Sequence, residues 1–126
     1  MSLSGSEKAH RLQLALECGG PTHRLDDVVE CLRDGRARLW ENEGGVIVTE
    51  LETFPLHKAV RFWLIAGELK PCLALEDEIL PWARAEGCTI AIASGRRGWG
   101  RVAAPTGWRQ HSYTFWKSLE SGSAEP

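Results

Sequence analysis

The run "VRFWLIA", residues 60–66, constrains the fold of this chain more than any other stretch. Arg61 is its only charged residue, and such a run is typical of a strand that is covered on both faces. A helical pattern follows over residues 73–86. Its apolar face is formed by Leu75, Ile79, Trp82 and Ala83. The next segment, "CTIAIAS" at residues 88–94, has small and β-branched residues and predicts another strand. Together the three segments predict a strand–helix–strand unit.

Two further strands come before this unit and are joined to it by short turns. Residues 37–40 and 46–51 predict the strands, with a turn at residues 43–45 between them. Pro55 marks the turn before the third strand, which we expect over residues 59–66. Connections this short favour antiparallel pairing. The sequence therefore predicts a mixed α/β layer fold with a mostly antiparallel sheet and flanking helices.

Helical patterns come before the strands, and a less regular segment comes after them. Residues 10–20 and 23–35 predict two helices, each of which ends at glycine. We expect a short helix within residues 98–104 and a terminal strand or hairpin over residues 108–119. Pro81 lies inside the helix of residues 73–86 and predicts a kink there.

Length and charge exclude several classes of protein. The 126 residues fit one domain, which we expect over residues 9–119 between flexible tails at residues 1–8 and 120–126. The formal net charge of -2 gives no overall attraction to nucleic acid or to a membrane surface. No apolar stretch is long enough to span a bilayer, and the first residues lack the apolar core of a signal peptide. We therefore expect a cytoplasmic protein with no membrane partner.

The cysteines point to free thiols rather than to a metal site. None of the four forms a C-x-x-C pair, and free thiols are typical of a reducing compartment. Cys18, His23 and Cys31 could in principle bind zinc, but their spacing matches no zinc pattern. We predict no metal site.

Residues 87–119 contain no Asp or Glu, although they contain several cations and tryptophans. The cations are Arg96, Arg97, Arg101, Arg109 and Lys117. This segment could bind an anionic small molecule or a nucleic-acid backbone. Alternatively, its tryptophans pack the core and the arginine stems lie around them. Of the three interpretations, we favour packing most and nucleic acid least.

The order of elements from residue 46 to residue 119 resembles the GNAT acyltransferase fold. The phrases "GRARLWENEGGVIVTEL", "VRFWLIAGEL", "WARAEGC" and "GRRGWGRVAAPTGW" are similar, more narrowly, to small GNAT-like proteins of tailed phages and prophages. The resemblance implies an opening beside the third strand that holds acetyl-CoA or another acyl-CoA. It also implies that the diphosphate of the cofactor lies on N–H groups where the next helix begins.

The resemblance assigns roles to individual residues. The cofactor-binding residues that it implies are Leu64, Ile65, Ala66, Gly67, Lys70, Arg96 and Trp99. A carboxylate of the second strand would relay a proton from the attacking amine, and Glu50 is a better candidate than Glu52 because it follows an apolar stretch. The other interpretation of this pair is a solvated strand face. Tyr113 is the second catalytic candidate, because it is the only tyrosine in the chain.

Two features depart from the family pattern. The family's basic, glycine-rich loop is replaced by "AGELKPCLA", in which Glu68 adds negative charge and Pro71 lacks an N–H donor. The short helix also lacks the tyrosine that many members use as a general acid.

Two functions therefore follow from the sequence. One is an N-acyltransferase that acts on an amine. The other is a non-catalytic phage or prophage module that binds phage structural proteins or a host partner, in the virion or the cytoplasm.

Overall fold

Four strands form one sheet, and they lie in the sheet in the same order as in the chain. They are β1 (Ala37–Glu41), β2 (Gly45–Thr53), β3 (Lys58–Gly67) and β4 (Ile90–Ala93). The first three strands pair antiparallel, and β3 pairs with β4 in parallel. The strand–helix–strand unit and the short turns before it are therefore confirmed. These coordinates come from a computed structural model, which describes residues 10–13, 16, 23–93, 104–109 and 117–120.

Two helices are described in full. Helix α1 (Leu25–Arg33) precedes the sheet, and helix α2 (Leu69–Ala85) connects β3 to β4. Gly35 and Gly87 follow them with φ of 78° and 92°, a conformation that favours glycine at the end of a helix. Helix α2 continues through Pro81. Residues 10–13 and 16 are also helical, which agrees with the first predicted helix.

One face of the sheet packs against α1 and the N-terminal helical residues. Val46 and Val48 of β2 alternate with residues of the other face, so they point together toward α1. Leu12, Leu16 and Val28 supply buried side chains from the helical side. Burial of these side chains stabilises the fold, because their nonpolar surface leaves water.

Helix α2 covers the opposite face. Trp40 of β1 points to that side, and its indole N–H donates a 3.0 Å hydrogen bond to Thr49. The ring of Trp82 from α2 meets the ring of Trp40 edge to face, with 5.3 Å between centroids. The buried side chains of α2 are Cys72, Leu75, Ile79 and Ala83.

A β-bulge interrupts β3. Val48 is paired with Leu64 and Thr49 with Phe62, so Trp63 has no partner residue on β2. A bulge of this kind bends the strand and changes the direction of the side chains beyond it. Trp63 packs against the α1 face, where its ring lies 4.9 Å from the ring of His23.

Contacts divide the chain into residues 1–94 and a second unit of residues 95–126. Of the second unit the structure describes a 3-10 helix, Ala104–Thr106, and the residues beside it, together with residues 117–120. Most of the predicted short helix and terminal strand lies outside the described residues. Within the described part of the chain, no helix is long and apolar enough to cross a membrane.

Candidate functional site

The junction between β3 and α2 is shorter than the sequence predicts. Gly67 ends β3, Glu68 is the N-cap residue, and α2 begins at Leu69. The expectation that this helix begins at Leu73 is therefore wrong, since α2 begins four residues earlier. Pro71 occupies the third helical position, where a missing N–H breaks no hydrogen bond within the helix.

The turn between β1 and β2, residues 42–45, packs directly on this junction. The side-chain amide of Asn42 donates to the carbonyl of Pro71 at 2.9 Å. Its oxygen accepts hydrogen bonds from the N–H groups of Gly44 and Gly45, at 3.1 and 2.8 Å. Asn42 therefore holds the turn closed and fixes it to the first turn of α2.

Two glycines allow the backbones to approach this closely. A Cβ atom on Gly44 would overlap Cγ of Pro71, and one on Gly67 would overlap the carbonyl oxygen of Gly44. Gly67 also has a φ of 117°, which other residues rarely adopt. The turn and the helix start therefore form one rigid unit, which we call the turn–helix junction: residues 42–45 and 67–72.

The turn–helix junction determines which N–H groups at the start of α2 can bind an anion. The N–H of Glu68 donates to the carbonyl of Gly44 at 2.9 Å, and Pro71 has no N–H. Among the described residues, nothing accepts a hydrogen bond from the N–H groups of Leu69 and Lys70, and no side chain caps the helix. Two donors, the exposed Lys70 ammonium and the helix dipole thus favour an anion, and the exposed Glu68 carboxylate opposes it.

The carboxylates of β2 lie at the other end of β3. Glu50 is half-buried, and its cross-strand neighbours are Ala37 on β1 and Arg61 on β3. The Arg61 guanidinium instead forms an ion pair with Glu52 at 2.9 Å. The side chains of Glu50 and Glu52 lie on the same face of β2, and Arg61 neutralises the charge of Glu52. Glu50 makes no side-chain hydrogen bond to another described residue.

The remaining predicted site residues are only partly described. Leu64 and Ala66 are buried toward α1, and Ile65 is half-buried opposite Ile47. Pairing between β3 and β4 covers residues 59–62 of β3, so these three residues lie beyond it. The opening between the two strands that the resemblance implies stays a prediction, because the chain after residue 93 leaves the described part. Three predicted site residues lie outside the described residues: Arg96, Trp99 and Tyr113.

Cys72 is buried where the turn–helix junction meets the sheet. Its thiol donates to the carbonyl of Ala66 at 3.5 Å, and burial raises the pKa of the thiol because the thiolate would lose its hydration. The thiol is therefore protonated at neutral pH, and Cys72 packs as a buried side chain of α2.

Asn42 is the residue that sequence reasoning missed. Its signal is the string "NEGG", because an asparagine before two glycines often accepts hydrogen bonds from the N–H groups of its own turn. That signal predicts the bonds to Gly44 and Gly45. The bond to Pro71, 29 residues away, has no local signal.

Several solved structures share this fold. No family model matches the chain, and no curated protein resembles it in sequence. A probable acetyltransferase aligns over 91% of both chains, with 13% identity and a TM-score of 0.61. An acetyltransferase of Trypanosoma brucei covers 88% of this chain and 94% of its own, with 13% identity and a TM-score of 0.58. A GNAT family acetyltransferase of Staphylococcus aureus covers 94% and 95%, with 18% identity and a TM-score of 0.57.

The chain has the GNAT fold. At these identities the likeness extends to the architecture, which confirms the mixed α/β sheet and the fold resemblance. In this fold the turn–helix junction stands where the sequence resemblance implied a cradle for the diphosphate.

Proposed function

We propose that the protein is an N-acyltransferase that transfers an acyl group from acetyl-CoA or another acyl-CoA to an amine. Three solved structures of the same fold are named acetyltransferases. The observation that carries the proposal is the uncapped start of α2 at the end of β3, where Leu69 and Lys70 present N–H groups without partners among the described residues. A diphosphate is the anion that such a helix start accommodates.

The start of α2 can bind a diphosphate, but it offers fewer N–H donors than a helix start in which every N–H group is free. The N–H groups of Leu69 and Lys70 and the Lys70 ammonium would hold it, while the N–H of Glu68 is already occupied by Gly44. We therefore expect weak binding of the cofactor, which the Glu68 carboxylate weakens further.

Glu50 is the proposed general base. Acyl-CoA, when bound, supplies the activated thioester carbonyl. The acceptor amine must lose a proton to attack such a carbon, and a half-buried carboxylate without an ion-pair partner can take that proton. Glu50 lies opposite Arg61 across the strands, and Gly67 follows six positions farther along β3, about 20 Å in an extended strand. An elongated cofactor arm along β3 would cover that length.

A calorimetric titration with acetyl-CoA tests the proposal. Lys70→Ala should weaken binding about three- to tenfold through the loss of one cation, and Glu68→Gln should tighten it by a similar factor. Arg84→Ala is the matched control: it removes an exposed cation from the same helix, about 21 Å along its axis, and should change nothing. If acetyl-CoA at millimolar concentration does not bind to the unmodified chain, the proposal is wrong.

The second candidate is a non-catalytic module of a phage or prophage that has kept the fold. The occupied N–H of Glu68 and the proline at the third helical position favour it, because both reduce the number of phosphate donors. This candidate predicts no acetyl-CoA binding by any of the variants above, and it predicts that the full chain copurifies with phage structural proteins. The acyltransferase proposal predicts that acetyl-CoA binds to the unmodified chain in the same titration.

A further inference from the structure

Four residues form one row across the sheet, on the face that carries the carboxylates of β2. Strand pairing places Ala37 of β1, Glu50 of β2 and Arg61 of β3 side by side, and Ile92 of β4 lies next to Arg61. Residues that pair in this way point their side chains to the same face, and Cβ atoms in antiparallel pairs are about 4.5–5.5 Å apart. The proposed base therefore has a methyl group on one side and an arginine on the other.

Glu50 and Arg61 have opposite charges, but they do not form an ion pair with each other. The Arg61 guanidinium turns instead to Glu52, where its Nη1 donates to Oε1 at 2.9 Å. A guanidinium carries five N–H donors, and Arg61 makes no other side-chain hydrogen bond to the described residues. The Arg61 side chain is 41% exposed and Glu50 is half-buried, so a molecule from solution can reach both groups.

We propose that the acceptor is a free α-amino acid, whose ammonium group binds to Glu50 and whose carboxylate binds to Arg61. This inference rests on the proposed acyltransferase function and names the acceptor of the same site. An α-amino acid carries an ammonium and a carboxylate on one carbon atom, and the two side chains offer the complementary charges at opposed positions.

Two other classes of amine use this pair of side chains less well. A simple amine would bind to Glu50 alone and would bring a second cation beside the Arg61 guanidinium. The N-terminus of a peptide offers Arg61 a neutral amide carbonyl in place of a carboxylate, and a neutral acceptor makes the weaker hydrogen bond. The acceptor's own carboxylate turns the arginine from a repulsive neighbour into a binding group.

Transfer to this acceptor is balanced without a further reactant. The ammonium gives one proton to Glu50, and the nitrogen electron pair then forms the amide bond as the C–S bond of the thioester breaks. The nitrogen loses a second proton, which neutralises the departing thiolate, and Glu50 returns its own proton to water. The product is an N-acyl amino acid without an ammonium group, so it keeps only the contact with Arg61 and leaves more readily than the substrate binds.

Glycine and glycinamide test the proposal on the unmodified full chain, because their structures differ only at the α-carboxylate. NMR follows the backbone amide signals of Glu50 and Arg61 as either compound is added to about 50 mM. Glycine should bind with a dissociation constant on the order of 1–10 mM, at least about tenfold tighter than glycinamide. The titration is repeated with coenzyme A present. Glycine that binds no tighter than glycinamide under both conditions overturns the proposal.

A substitution at the arginine tests where the carboxylate binds. Arg61→Gln should weaken glycine binding about tenfold and leave glycinamide binding within about twofold. Arg84→Gln is the matched control, because it removes an exposed cation from the helix on the opposite face, and it should bind both compounds as the unmodified chain does. If Arg61→Gln binds glycine as tightly as the unmodified chain, the carboxylate lies elsewhere and the proposal is wrong.

The results for glycine and for acetyl-CoA are independent. A chain that binds acetyl-CoA but does not distinguish glycine from glycinamide would keep the acyltransferase function and lose the amino-acid acceptor. A chain that prefers glycine but does not bind acetyl-CoA would keep the amino-acid site and lose the acyltransferase function.

Discussion

Replacing Asn42 by alanine should loosen the turn–helix junction more than any other single polar truncation among the described residues. The side chain makes three hydrogen bonds, to the carbonyl of Pro71 and from the N–H groups of Gly44 and Gly45, at 2.8–3.1 Å. A net contribution of about 0.5–1.5 kcal/mol for each bond gives a loss of about 1.5–4.5 kcal/mol in the free energy of unfolding. Urea unfolding followed by fluorescence measures this loss, and the slope of free energy against urea should not change.

Asn42→Asp is the matched control for this truncation. The carboxylate keeps two acceptors for the glycine N–H groups but cannot donate to the carbonyl of Pro71. The expected loss in the free energy of unfolding is about 1–2 kcal/mol, which is smaller than the loss for the alanine variant. A free energy of unfolding for Asn42→Ala within about 0.5 kcal/mol of the unmodified chain would contradict these roles of Asn42, and so would an aspartate variant as unstable as the alanine variant.

Three further predictions concern glycine, cysteine and the carboxylates. Gly67→Ala should cost at least about 3 kcal/mol because its Cβ overlaps the backbone, whereas Gly35→Ala, with positive φ but open space, should cost about 1–2 kcal/mol in the same urea assay. Burial raises the pKa of the Cys72 thiol, so the unfolded chain loses that proton first as pH rises past about 8.5, and stability should fall there; a Cys72→Ala variant should show a shallower decline. In an acetyl-transfer assay Glu50→Gln should lower kcat at least about 100-fold, whereas Glu52→Gln should stay within about threefold; equal losses would contradict the assigned base.

The sequence predicted the sheet well because alternation and turns are local signals. The first strand, predicted over residues 37–40, spans Ala37–Glu41, and the third, predicted over 59–66, spans Lys58–Gly67. The strand–helix–strand unit of β3, α2 and β4 followed from the apolar run and the helix after it. These features depend on neighbours along the chain, so no knowledge of distant contacts was needed.

The start of α2 was mispredicted because the resemblance placed a loop before Leu73. Pro71 lies within the first helical turn, where it removes no intrahelical bond, and the helix begins at Leu69. The partner of the Glu68 N–H could not be predicted either, because Gly44 lies 24 residues earlier and meets it only after β2 and β3 have paired. The predicted roles of Glu50, Lys70 and the other site residues stay predictions until binding is measured.

The bulge at Trp63 sets which face each side chain of β3 occupies on either side of it. Phe62 faces α2 and Leu64 faces α1, although simple alternation would give these two residues the same face. Deleting Trp63 would place Leu64 directly after Phe62, and simple alternation would then keep Leu64 toward α1 and leave the later pairing with β2 unchanged. The deletion would remove the contact of Trp63 with His23 and the local bend of the strand. The extra residue therefore serves the α1 face, and the end of the strand on which the candidate cofactor site depends does not need it for its register.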